Sequence, residues 1–269
     1  MNTNGFRPEP DNPDHWIFED KLLPKLAMQT TKELAVQTTG DVDLRPFTSP
    51  RHNQSHTSSC VAQATCKAFE IKRIMEKGHD AHIDLSRLAV YWFARNLMIP
   101  KEVGNDDGTY ISHAFDAMRR WGVPPESDWP WHRTNICLSP SWSAMRKAYV
   151  SKIKAFYKIR STGDERVQMV IEALRAGNPV VYGTYVNRTW GRYEKGQVLQ
   201  PISWGDSTGR HATVILGYKD GLFIGENSWG AGWGDDGFYL MDPKAIAASG
   251  SCDFWVPQQG YETYEDQQG

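Results

Sequence analysis

The sequence predicts an α+β fold of two lobes meeting at a cleft, and three observations carry that prediction. Helical spacing of apolar residues dominates the first half of the globular region. After Pro179 the period changes to that of strands, in VVYGTYV, ATVILGYKDGLFIGENSW and GFYLM. The two patterns are segregated along the chain, which is not the alternation of a βαβ protein. With 40% hydrophobic and 12% aromatic residues in 269, the chain can bury a sizeable, ring-rich core.

Residues 1–42 open Pro- and Asp-rich and continue polar with scattered Leu, and they read as a leader outside the core. Phe6, Trp16, Ile17, Phe18 and the Leu-rich stretch 22–26 are nevertheless too apolar for a free tail. The Pro at 8, 10 and 13 favour an extended path that needs no core of its own. The leader is therefore expected to cover part of the cleft, with a buttress behind the helical lobe as the other outcome.

The globular region runs over 43–257, a helical lobe over about 43–150 and a β-rich lobe over about 151–257, followed by an acidic tail, 258–269. The loop TSPRHNQSHTSS is turn chemistry throughout and feeds a helix that begins near Cys60. Ser58 or Ser59 is expected to supply the N-cap oxygen, and Gly78 a left-handed end. Apolar or small residues at 61, 62, 64, 66, 68, 69, 71 and 75 cover so wide a face that this helix should be buried. Further helices are expected at 85–98, 109–121, 139–149 and 164–176, and a hairpin turn at Asp220-Gly221.

Charge and cysteine usage exclude several classes. Lys plus Arg is 30 and Asp plus Glu 32, a net charge of -2, without the basic surplus of a nucleic-acid or anionic-membrane binder. Four cysteines make no disulfide scaffold, and none forms a Cys-x-x-Cys pair. Cys60 and Cys66 on one helix would stand about 9 Å apart, beyond disulfide reach. The first twenty residues hold no apolar run, and no stretch approaches a membrane span. The expectation is a soluble, cytoplasmic monomer with reduced thiols, in which the Asn53 and Asn187 triplets carry no glycan.

Candidate chemistry gathers around Cys60. At a helix N-terminus the aligned peptide dipoles favour a thiolate. A reactive thiol also needs a base, an orienting group and an oxyanion donor. His211 begins the strand HATVILGY, and Asn227 lies sixteen residues later across the hairpin, where its oxygen could hold one tautomer of the ring. A strict two-residue hairpin would set Asn227 opposite Val214, so a longer loop or a bulge is required. Gln54, six residues before Cys60, could complete an oxyanion hole with the Cys60 N–H.

Cys60, His211 and Asn227, in that order, resemble the papain-like cysteine peptidases. QSHTSSC, GRHATVILGY, NSWGAGWGDDGFYLM and DDGTYISHAFDAMRRWGVPPESDWPW carry the resemblance. The opening GFRPEPDNPDHW and the closing CDFWV are similar to the short-leader bacterial and viral members. Val61 stands where the plant and lysosomal pattern has Trp, Thr57 where it has a disulfide-forming Cys, and Arg210 precedes the histidine. The resemblance implies a papain-like fold and an endopeptidase that forms a thioester through a thiolate–imidazolium pair of Cys60 and His211. Gln54 would hold the oxyanion, Asn227 would orient His211, and Trp229 would cover the His–Asn contact. Asp107 and Gly108 would pair with the substrate backbone, and Tyr110, Gly183 and Ala212 would line the pocket for the second residue before the cut. The substrate would be a peptide or protein, with no cofactor and no metal.

Other readings are open to the same residues. A papain-fold acyl transferase, cyclase- or transglutaminase-like, would use the same groups, and a catalytically silent module would bind peptides without cutting them. His52, His56 and Cys60, spaced by four, could ligate zinc on a helix, but their surroundings read as a loop. Glu226 reads as a solvated strand residue, His113 as a surface or satisfied core histidine, and Cys66, Cys137 and Cys252 as buried thiols.

Overall fold

The computed structural model describes residues 5–24, 40–98 and 101–258. Expectations for 25–39 and for the acidic tail beyond Gln258 lie outside the described residues.

The first lobe is built on α1, Cys60–Lys77. Every residue from Cys60 to Ile71 is buried, as the breadth of its apolar face requires. Ser59 is the N-cap but makes no side-chain cap; its Oγ meets Thr57 Oγ1 (2.8 Å) and accepts from Gln63 Nε2 (3.2 Å). Gly78 ends the helix at φ 81°, ψ 169°, a conformation open to glycine but not the left-handed helical one expected. Helix α2, Arg87–Asn96, starts at Ser86, whose Oγ accepts from the Ala89 N–H. Helix α3, Ile111–Arg120, turns Ile111, Ala114, Phe115 and Met118 inward at helical spacing. The helix expected at 139–149 is instead one turn, α4, Trp142–Met145, followed by a 3-10 turn at Ala148–Val150. Trp142 is 80% exposed, so the segment has little apolar face to extend along.

The second lobe is an eight-stranded sheet. Its strands are β1 (Val42–Asp43), β2 (Ala155–Ile159), β3 (Val180–Val186), β4 (Val198–Leu199), β5 (Gly209–Lys219), β6 (Leu222–Glu226), β7 (Phe238–Met241) and β8 (Ser251–Gln258). Their order is β2-β8-β3-β5-β6-β7-β4, with β1 on β5. Helix α5, Gly163–Arg175, leads into β3, and α1 packs on β5, which joins the two lobes along one core.

The hairpin of β5 and β6 carries the decisive register. Lys219 pairs with Leu222 around Asp220 and Gly221, both at positive φ, the signature of a two-residue type I′ turn. The register then shifts by one between Ile215 and Gly217, so that Val214 faces Glu226. Leu216 is the bulged residue. Continued past it, the ladder sets Asn227 opposite Thr213 rather than Val214. A one-residue slip exchanges sheet faces, so the bulge puts Asn227 on the same face as His211. This is the bulge that the sequence required and could not place.

The leader departs from its sequence reading. Phe6, Phe18 and Leu22 are buried and belong to the main core, so the described part of 1–42 does not lie outside it. Residues Phe18–Leu22 form a π-turn, the Lys158 N–H donates to the Trp16 carbonyl (2.8 Å), and the Glu19 carboxylate caps the Arg160 and Ser161 amides. Trp16, in contrast, stays 55% exposed.

Candidate active site

Cys60 opens α1 and is fully buried. The Ala212 N–H, one residue after His211, hydrogen-bonds the thiol and favours its ionised form, as do the amides of Val61 and of Cys60 itself. The first turn of α1 thus meets the start of β5 at the sulfur. Among the described residues no side chain caps this helix end, which leaves its positive dipole directed at the thiol.

His211 Nε2 lies 2.7 Å from Asn227 Oδ1. Oδ1 only accepts, so Nε2 carries the proton and Nδ1 is left as the basic nitrogen. The Ser228 N–H also donates to Oδ1 (2.7 Å) and fixes the amide orientation. Among the described residues, Nδ1 is buried without a hydrogen-bond partner. The Trp229 ring lies 4.9 Å from the imidazole, and Trp190 and Trp233 complete an aromatic wall behind it.

Gln54 is buried in the loop before α1. Its Nε2 donates to the Thr57 carbonyl (2.9 Å), and its Oε1 accepts from Ser228 Oγ (2.7 Å). The same loop is laced to the Asn227 segment by Gln54 N–H to the Ser228 carbonyl (2.8 Å) and Gly230 N–H to the His52 carbonyl (2.9 Å). Backbone bonds across the lobes therefore hold Gln54, Cys60 and Asn227 in one frame.

The groove holds the chain's own leader. Gly5 lies on the thiol: a Cβ added there would stand 2.8 Å from Cys60 Sγ and closer still to the Ser58 carbonyl. Thr109 N–H donates to the Gly5 carbonyl (3.1 Å) and Arg7 N–H to the Thr109 carbonyl (3.1 Å), a parallel bridge with Phe6 at its centre. The residue that pairs with the leader is Thr109, next to the Asp107-Gly108 expected to pair with a substrate. Asp107 instead accepts from Arg7 Nε (2.8 Å), and Gly108 leaves room for the Gly5 carbonyl, which a side chain would strike. The Phe6 ring fills the space where Gly183 lacks a Cβ, and Ala212 is the cross-strand partner of Gly183. Tyr110, half-buried, sets its ring edge-on to His113 (4.9 Å).

Burial decides the charge state of this closed site. It pushes the Cys60 thiol up to about 12, against the weaker pull of the surrounding amides. It lowers His211 to about 4, with the Asn227 hydrogen bond opposing. With the leader seated, burial thus favours the neutral thiol and the neutral imidazole.

Several other sequence readings change. His52 does not join His56 and Cys60; it is buried with Nε2 3.2 Å from Glu70 Oε2. His52, Glu70 and Asp84 offer ligand atoms within 4.8 Å of one another. Lys67 Nζ, 4.0 Å from Glu70 Oε2, and Arg87, paired with Asp84, make this an ion-pair network rather than a metal set. Glu226 is buried, not solvated, and meets Lys67 Nζ at 3.1 Å and Arg51 Nη1 at 3.5 Å. The lysine in the buried helix α1 was the available signal for that partner. All four cysteines are unpaired, and Cys137 and Cys252 are only half-buried. No helix of the described residues is long and apolar enough to cross a membrane.

Comparison with known proteins agrees with this geometry. The profile described as papain family cysteine protease matches residues 39–254. An uncharacterized peptidase C1-like protein of Acanthamoeba polyphaga mimivirus is 28% identical, covering 96% of this chain and 87% of its own. Cysteine proteinase 2 of Entamoeba histolytica is 26% identical over 78% of this chain, which spans 65% of that relative's length. The crystal structure of xylellain, a cysteine protease from Xylella fastidiosa, superposes with a TM-score of 0.78 at 25% identity, covering 96% of this chain and 97% of that one. The chain therefore belongs to the papain family of cysteine proteases.

Proposed function

We propose that the protein is a cysteine endopeptidase in which Cys60 attacks the peptide carbonyl and His211 Nδ1 takes its proton. Gln54 and the Cys60 N–H hold the oxyanion, and Asn227 keeps the imidazole in the required tautomer. The imidazolium then protonates the leaving amine, and water hydrolyses the thioester. The observation that carries this reading is the leader itself: a peptide segment lies across the thiol, paired as an added strand with Thr109 and seated beside Gly183.

The same contact makes residues 5–7 a plug, while residues 16–22 fasten the leader to the core. Opening the groove would rehydrate Cys60 and His211 and favour their ion pair over the neutral closed state. The protein acts as a monomer on peptide or protein substrates, without cofactor, metal or nucleic acid. Four unpaired cysteines support a reducing, cytoplasmic setting.

A peptide-library cleavage profile of Phe6→Ala, with Phe6→Ala/Cys60→Ala as control, tests the reading. Cleavage that depends on Cys60 is expected. Amide products formed only with added amine would make the enzyme an acyl transferase, and no turnover with the plug displaced would make it a silent binding module.

A further inference from the structure

The segment that pairs with a peptide is useful only if it stands at a fixed distance from the nucleophile. Thr109 pairs with the leader, and Gly108 N–H before it donates to Tyr91 Oη (2.9 Å). The Tyr91 O–H donates in turn to Asp106 Oδ1 (2.9 Å). The same Oδ1 accepts the N–H of Ser58 (2.9 Å), two residues before Cys60. One carboxylate oxygen and one phenol thus join the peptide-pairing strand to the nucleophile loop.

The relay stands on a rigid support. Tyr91 is fully buried on α2. The Arg95 guanidinium, one turn on, lies 3.9 Å from the centre of the Tyr91 ring and donates to the Asn105 carbonyl, next to Asp106. Around it no covalent tether joins the two segments: Thr57 spends its hydroxyl on the Gln54 carbonyl and Ser59 Oγ, and all cysteines are unpaired.

We propose that Tyr91 and Asp106 are positioning residues that set the gap between the peptide-pairing strand at Gly108-Thr109 and Cys60. Their hydrogen bonds run to the Gly108 and Ser58 amides, and on the thiol itself Asp106 acts only as the smallest of the charges and amides around it. Gln54 and Asn227 are held separately, by the backbone bonds across the lobes. Loosening the relay should therefore weaken peptide binding and leave the chemical step nearly intact. This proposal rests on the peptidase reading above.

The test is steady-state kinetics on a fluorogenic peptide, with active-site titration, in the Phe6→Ala background so that the leader does not compete. Tyr91→Phe and Asp106→Ala should each raise KM about tenfold with kcat within about twofold, the loss expected of one buried hydrogen bond. Asp106→Asn keeps the accepting oxygen and drops the charge, and should return KM to within about threefold of the parent. Tyr91→Phe/Asp106→Ala should be no worse than Asp106→Ala, because the two residues act in series. An unchanged KM in Asp106→Ala, an Asp106→Asn as impaired as Asp106→Ala, or a fall confined to kcat would overturn the proposal. A Phe6→Ala parent that neither cleaves peptides nor reacts at Cys60 would overturn the peptidase reading, and this one with it.

Discussion

At the scale of single residues, each candidate group is placed by its neighbours more than by its own chemistry. Cys60→Ala should abolish turnover and leave the thermal melt close to that of the parent, because the sulfur sits at a helix start against the leader and its loss opens little void. Gln54→Ala should lower kcat by about 100- to 1,000-fold and change KM far less, as expected of an oxyanion donor. Steady-state kinetics in the Phe6→Ala background decide this, and a pure KM effect would reduce Gln54 to a binding residue. The meeting of His211 with Asn227, and of the Gln54 loop with the Asn227 segment, was legible in the sequence because reactive chemistry uses few residue types in recognisable surroundings. Glu226 was not, since a strand glutamate beside Asn227 looks solvated until Lys67 is seen to reach it from α1. The Tyr91–Asp106 relay was equally hidden, because nothing in spacing tells which tyrosine hydroxyl meets which carboxylate.

Elements then turn residues into a site. The hairpin of β5 and β6 shows where sequence reading stops: the I′ turn was legible from Asp220-Gly221, and so was the need for one extra residue. That Leu216 takes the bulge depends on packing and on pairing with β1, since the Leu44 N–H donates to its carbonyl (2.9 Å). The leader is the other element that matters. Burying Phe6 contributes roughly 2–3 kcal/mol, so Phe6→Ala should weaken plugging by about 30- to 150-fold and raise kcat/KM towards small peptides. Unaltered kcat/KM would show that the plug does not limit access.

The leader also carries two titrating groups of opposite sense. Burial raises Glu9 to about 7 and lowers His15 to about 4; the two side chains lie 3.5 Å apart, and between these values they meet as neutral groups. A raised carboxyl makes docking stronger below its free value of 4.5 and weaker as pH rises through 7. A lowered imidazole makes docking stronger above its free value of 6.5 and weaker as pH falls through 4. Between 4.5 and 6.5 the two slopes oppose each other, so docking should vary little with pH. Glu9→Gln removes one slope, and docking should then weaken as pH falls from 6.5 to 4. Hydrogen-exchange protection of the Arg7 amide measures this, and a pH-independent protection in Glu9→Gln would contradict the assignment.

Across the whole molecule, the leader is both plug and structural member. Its apolar residues foretold contact with the globular part, but composition could not divide that contact into residues over the thiol and residues in the core. Phe18 is fully buried, so Phe18→Ala should cost about 3–5 kcal/mol, a fall in Tm of roughly 10 °C at this chain length. Removing only residues 1–7 should open the groove and lower Tm by less than Phe18→Ala does, since Phe6 is, among the described residues, the one core side chain lost with the plug. Equal Tm losses from the two changes would show that plug and anchor are one unit. The two-lobe architecture itself was legible, because segregated helix and strand periods survive in the sequence whatever the details of packing. Strand β2 was not, since AFYKI lies between turns and gains its partner only when β8 returns from the far end of the chain.

The central claim is that Cys60 is the nucleophile of a peptidase whose groove is closed by its own residues 5–7. Its most direct test is the rate and place of labelling by an epoxide thiol probe, read by peptide mapping in the parent and in Phe6→Ala. The account predicts label on Cys60, not on the half-buried Cys137 or Cys252, and at least about tenfold faster in Phe6→Ala, as the lost burial of one phenyl ring implies. Label on another cysteine, or none on Cys60 with the plug displaced, would contradict it.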